Sequence, residues 1–295
     1  MKFRSNMLLM CCIMAAMTSF AQDTTLNLLQ DTLPQKEYVT RTFKSPRIIM
    51  AHSVEMLHKG VLDFRILHRF GTVDNGIKDF FGLDQASMRL ALDYGITDNL
   101  TVGIGRSTFE KELDGFLKYR LIQQSTGPKS SPVSLVLVGG TTCNTLSWSD
   151  TSKKSEFSSR LAYYAQALIG RKFTEAFSLQ ITPTFLHRNL VETHQDPHDL
   201  YAAGIGGRIK LSHRVSFNVD YFYVFNQNKN LLVYNPLSIG FDIETGGHVF
   251  QLHFTNAVGM NERAFLTETT NQWGKGQISF GFNLSRSFQL KKPKG

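Results

Sequence analysis

The sequence has few cysteines, no long apolar run in its body, and no strong catalytic or metal-binding signature. Three cysteines occur in 295 residues. Two of them, Cys11 and Cys12, fall in an N-terminal stretch with charged Lys2 and Arg4, an apolar run from Met7 to Met17, and a small-x-small Ser19-Phe20-Ala21. That pattern is a cleaved secretory signal peptide, residues 1–21. Cys143 is then alone in the mature chain, which excludes an internal disulfide and a small stapled scaffold. Beyond Ala21 nothing approaches the roughly 20 consecutive apolar residues of a spanning helix. The chain is exported, yet it carries no helical anchor.

Charge is also sparse. The formal net charge of +8 includes Lys2 and Arg4 of the leader and Lys291, Lys292 and Lys294 of a short basic tail, residues 291–295. The body is only slightly basic and its basic residues do not cluster, which speaks against a nucleic-acid partner. No G-x-S-x-G is present. The pair His52-Ser53 stands without the oriented base and oxyanion donors that nucleophilic catalysis needs. "GIGR" at 103–106 and "GIGG" at 204–207 complete no phosphate-binding pattern; such strand glycines serve close packing or bending. His187, His194 and His198 lie near Glu192, Asp196 and Asp199 around one expected loop, but H-x6-H-x3-H matches no strong metal signature. No enzymatic activity, cofactor or metal is expected.

What the sequence does have is alternation. Leu62, Phe64, Ile66 and Phe70 share one parity, with Asp63, Arg65 and Arg69 on the other. Leu90, Leu92 and Tyr94 oppose Arg89 and Asp93; Phe217, Val219, Tyr221 and Tyr223 oppose Ser216, Asn218 and Asp220. A period of two is the signature of strands. Twelve are expected, near 61–70, 86–96, 100–108, 113–123, 133–143, 158–170, 178–188, 200–211, 215–225, 237–244, 248–256 and 276–288. Most have close to the roughly 9–11 residues of a tilted spanning strand, and an even count suits a bacterial barrel. The connections mostly alternate too: tight turns such as Thr97-Asp98-Asn99 and Thr245-Gly246-Gly247 answer long loops such as 71–85 and 257–275, with 109–112 short on the long side and 124–132 long on the short side. Short turns at one end and long loops at the other mark periplasmic and extracellular ends.

This predicts an all-β, antiparallel transmembrane β-barrel at residues 60–290, its apolar parity facing outer-membrane lipid. Residues 22–59, polar and irregular apart from groups such as Ile48-Ile49-Met50, read as a periplasmic N-terminal tail. The opposite parity supplies candidate lumen-lining residues: Asp63, Arg65, Arg69, Arg89, Asp93, Asp114, Lys118, Arg120, Arg160, Arg208, Lys210, Asp220, Asp242 and Glu244. Such a wall suits a passive polar pore or transport-associated barrel for small solutes or ions. The same mixed signs also suit a salt-bridged, closed barrel that binds a partner through its long loops. A barrel enzyme is the third reading.

The stretches "KGVLDFRILHRFG", "FFGLDQASMRLALDYGITDNLTVGIGRSTFEK", "DGFLKYRL" and "SIGFDIETGGHVFQLHFTN" resemble a family of Gram-negative outer-membrane β-barrels of unknown function. The resemblance runs from about Val39 to Leu290. It implies the barrel and the outer membrane, and no ligand or activity.

Overall fold

The structure is a computed structural model that describes residues 35–146, 156–191, 195–227 and 232–290. The expected signal peptide, the first part of the N-terminal tail, the basic tail 291–295 and the loop residues Glu192 and His194 lie outside the described residues. Twelve strands close into one antiparallel barrel. They are β2 (Val61–Thr72), β3 (Ala86–Thr97), β4 (Leu100–Ser107), β5 (Glu112–Ile122), β7 (Ser134–Asn144), β8 (Leu161–Lys172), β9 (Phe177–Arg188), β10 (Asp199–Lys210), β11 (Val215–Val224), β12 (Leu237–Thr245), β13 (His248–Thr255) and β14 (Ser279–Gln289). Each pairs with its sequence neighbour in the barrel, and β14 closes the ring on β2 with Leu284 opposite Ile66. Closure leaves no strand edge unpaired, the condition for backbone to sit in hydrocarbon.

The expected strands and faces stand. Ile104 and Leu117 are 65% and 60% exposed on the outside, whereas Arg65 and Asp63 on the other parity are 2% and 1% exposed. Most tight turns gather at one end, which also carries the long 123–133 connection from β5 to β7, while the short 108–111 connection from β4 to β5 lies at the other. Between β12 and β13, Thr245 pairs directly with His248, and the two residues between them are glycines with φ of +50° and +104°. Positive φ at both positions suits a two-residue hairpin turn. Long connections gather at the other end, where a short helix α1 (Glu262–Thr267) interrupts the segment between β13 and β14.

The N-terminal segment requires a correction. Expected as a periplasmic tail, it enters the barrel instead. Two-residue strands β1 (Glu37–Tyr38) and β6 (Ser125–Thr126) pair near the tight-turn end. Beyond them Phe43, Ile48, Ile49, Met50, Ala51 and Val54 are all at most 4% exposed. The segment doubles back inside, with Ile48 N–H donating to Ala51 O and Arg47 bridging His52. It leaves by the end it entered, because Gly60 N–H donates to Gly95 O beside the Thr97–Leu100 turn.

The physical reason lies in barrel size and wall chemistry. Eight strands are filled by their own side chains, whereas sixteen leave an aqueous channel. Twelve leave a space that side chains alone do not fill. Its wall is two-sided: β7 to β11 present Val136, Val138, Leu168, Leu186, Leu200 and Phe222 inward, and all are buried. An apolar half-wall favours something apolar against it, each fully buried aliphatic or aromatic side chain being worth about 1.5–3 kcal/mol over water. Ile48, Met50 and Val54 supply that surface. Gly206 and Gly170 make room: a Cβ there would stand 2.2 Å from Ile48 Cδ1 and 2.7 Å from Val54 Cγ1.

Candidate functional site

The lumen is the candidate site, and its polar wall holds the inserted segment chiefly by its backbone. Asp220 Oδ2 on β11 accepts from the amides of Met50 at 2.9 Å and Ala51 at 2.8 Å. Lys118 on β5 donates to Glu55 O at 2.6 Å and Pro46 O at 3.3 Å. Gln251 donates to Ile48 O at 2.6 Å, Asn283 to Ile49 O at 3.1 Å, and Gln180 to His52 O at 2.7 Å. Arg208 Nη1 reaches the carbonyls of Arg41 and Thr42, and Lys44 pairs with Glu244 at the rim. These contacts come from β5 and from β9 to β14. All but the Lys44–Glu244 pair satisfy a backbone group that would be costly to bury alone.

A second segment comes from the long-loop end. Helix α1 is capped by Asn261, whose side chain accepts from Ala264 N–H at 2.9 Å, and Phe265 packs on Phe222 with ring centroids 5.1 Å apart. Asn261 also donates to Glu112 at 2.6 Å, and Arg263 pairs with Glu112 and Glu268. Burial and the like charge of Glu112 push Glu268 up to about 7, against the pull of Arg263.

The two segments meet mid-lumen. Arg47 Nη1 donates to Glu262 Oε1 at 3.2 Å, and both side chains are 1% exposed. Arg47 Nη2 lies 3.2 Å from His52 Nε2. Since a guanidinium only donates, that imidazole nitrogen accepts, and the 3.4 Å approach of His52 to Glu262 involves a neutral ring. Ser53 Oγ donates to Ser45 O at 2.6 Å, so His52 and Ser53 are not assembled as a base and nucleophile.

Among the candidate lumen residues, Asp63, Arg65, Arg69, Arg89, Asp93, Asp114, Lys118, Arg208, Asp220 and Asp242 are buried within the barrel. The structure joins Arg65 to Asp63 at 2.7 Å and Asp93 at 3.5 Å, and Arg89 to Asp114. It places the others at the ends. Arg120 bonds the turn carbonyl of Asp98 and the Asn99 side chain, Lys210 is half-buried at the close of β10, and Glu244 meets Lys44. Arg160 belongs to a helical turn before β8, where it holds the carbonyls of Asn144 and Leu146. His187 pairs with Asp199 at 2.6 Å while His198 bonds Arg188 O, and no metal-ligating cluster occurs among the described residues.

Sequence reasoning missed the inserted segment, α1 with Glu112 and Glu262, and the apolar half-wall. One signal was available. "SLVLVGG" in β7 is apolar on both parities, as strands buried on both faces are, and in a barrel that calls for a filled interior.

Residues 43–288 match the family described as "Membrane bound beta barrel domain (DUF5777)". The chain belongs to this family. The matched region begins at Phe43, so the inserted segment is part of the family's domain. The chain is a membrane-bound β-barrel. No curated protein matches its sequence. Similar solved structures include the NanC porin, at 9% identity and TM-score 0.48, covering 78% of this chain and 100% of that one. They also include the COG4313 outer membrane channel from Pseudomonas putida F1 (14%, TM-score 0.44, 80% and 98%) and the outer membrane phospholipase A from Escherichia coli (11%, TM-score 0.41, 83% and 98%). None reaches 0.5. They are likenesses between barrels in general.

Proposed function

We propose that the protein is a gated channel for small polar solutes or ions, held closed by its own residues 42–57. The observation that supports this is how that segment is held. Asp220, Lys118, Gln251, Asn283 and Gln180 bind its backbone amides and carbonyls. Water or a polar solute can replace each such contact, so the wall remains solvated when the segment leaves. Its entry beside the tight turns would put the gate on the periplasmic side. A second reading, a permanently closed barrel that binds a partner through its loops, is favoured by the clasp of Asn261 and Arg263 on Glu112.

Planar-bilayer recording separates the two. The intact mature chain should sit near baseline conductance. A variant lacking residues 36–57 and carrying Glu112→Gln, which frees α1 as well, should conduct steadily. If that variant is folded, by its heat-modifiable migration, and is as silent as the intact chain, the channel reading fails and the closed barrel stands.

A further inference from the structure

Three buried arginines line one side of the lumen on adjacent strands: Arg65 and Arg69 on β2, and Arg89 on β3. In two of them the side-on edge of the guanidinium, Nε with Nη2, grips a carboxylate. Arg65 donates from Nε at 2.9 Å and Nη2 at 2.7 Å to Asp63 Oδ2. Arg89 donates from Nε to Asp114 Oδ1 at 2.8 Å and from Nη2 to Oδ2 at 2.5 Å. Arg69 is 0% exposed and uses only its other nitrogen, Nη1, to reach His68 O and Asn283 Oδ1, each at 3.0 Å. Its Nε and Nη2 have no partner among the described residues. The charge of Asp220 acts on it only at longer range: Asp220 Oδ2 is committed to Met50 and Ala51, and its Oδ1 makes no hydrogen bond among the described residues.

The neighbours share this state. Ser87 is opposite Arg69 on β3, Gly281 is opposite Arg69 on β14, and His253 is opposite Gly281 on β13. A Cβ at Gly281 would stand 2.6 Å from His253 Nε2 and 2.8 Å from Arg69 Cδ. The absent side chain therefore lets the imidazole and the arginine converge over one point of the wall. Among the described residues, both ring nitrogens of His253, 1% exposed, and Ser87 Oγ also lack a hydrogen-bond partner of good geometry, although the Gln251 backbone lies close to the ring. A buried guanidinium with its fork empty, beside an imidazole and a hydroxyl, departs from the rule that buried charges are paired.

We propose that Arg69, with His253 and Ser87, forms a binding site for a small oxyanion that presents two oxygens side by side, a carboxylate or a phosphate. Arg69 takes the ligand bidentately through Nε and Nη2, as Arg89 takes the two oxygens of Asp114. His253 and Ser87 supply further hydrogen bonds from the flanking strands. The site stands whether or not the barrel opens as a channel, because its ligand is read by binding and not by current.

The test is thermal unfolding of the full mature chain in detergent micelles, with acetate or inorganic phosphate titrated against chloride at constant ionic strength. A saturable rise in Tm with either anion is expected, absent in Arg69→Gln and reached at tenfold or more higher concentration in His253→Ala. A tighter response to acetate would mark the ligand as a carboxylate, and a tighter one to phosphate as a phosphate. Should Arg69→Gln not fold, Arg69→Lys keeps the charge without the planar fork and should weaken the response at least tenfold. No saturable rise in the wild type, or one that survives unchanged in the Arg69 variants, overturns the site. A silent bilayer leaves this result untouched.

Discussion

Replacing Asp220 by alanine removes the carboxylate that seats the tip of the inserted segment. Its Oδ2 accepts from two buried amides, Met50 and Ala51, at 2.9 and 2.8 Å. Hydrogen bonds to a charged group contribute about 1.5–3 kcal/mol each, and the amides left behind have no substitute acceptor while the segment stays in place. The seating should therefore weaken by about 3–5 kcal/mol, or two to nearly four powers of ten in the ratio of seated to released segment. The barrel itself should survive, because Asp220 makes its ladder bonds through the backbone opposite Gly206 and Ser238. Hydrogen exchange resolves the two effects. The amides of Met50 and Ala51 should lose protection by that factor while those of the β10–β11 ladder keep theirs, and bilayer openings should become more frequent. Unchanged protection at Met50 and Ala51 would refute the reasoning, since the apolar contacts of Ile48 and Val54 would then hold the segment alone.

Two further outcomes follow from the same geometry. Glu268 sits at about 7, above the ordinary carboxyl range, so its contribution to seating α1 is full below about pH 4.5 and is lost as pH rises through 7. Limited proteolysis of the 256–278 loop should accelerate between pH 5 and 8, and Glu268→Gln should flatten that rise; a flat wild-type profile would contradict it. On the outer face, Phe241 lies mid-strand in β12, 43% exposed beside Phe217. Phe241→Arg should destabilise the barrel in lipid by roughly 2–4 kcal/mol, the cost of arginine near the midplane, whereas Lys210→Gln at the rim should stay within about 0.5 kcal/mol. Comparable unfolding free energies for the two variants would mean that Phe241 does not face hydrocarbon.

The candidate site was legible where a local pattern carried it. Asp63, Arg65, Arg89 and Asp114 lie on the polar parity of strands whose other face is unmistakably apolar, and pleating alone then sends them inward. The ends were harder. Arg160 continues the parity of β8 in sequence, yet residues 157–160 turn helically before the strand begins. Parity has no meaning where the backbone is not extended. Which charges pair was also closed to the sequence, because Arg89 meets Asp114 across two strand-to-strand registers.

By itself the sequence determined the twelve strands, their facing, the alternation of tight and long connections, and the membrane that such a surface requires. These follow from period two and turn chemistry, which act over a few residues. Only the tertiary structure decided that the lumen is filled, and by what. Residues 42–57 have no period and no strong propensity, so nothing local distinguishes a solvated tail from an inserted one. Their place is set by Asp220, Lys118 and Gln251, more than sixty residues distant in the chain, and by an apolar half-wall that exists only once the barrel has closed. A twelve-strand ring encloses more space than its own side chains occupy. The chain fills that space from both ends, and among the described residues nothing takes the fork of Arg69.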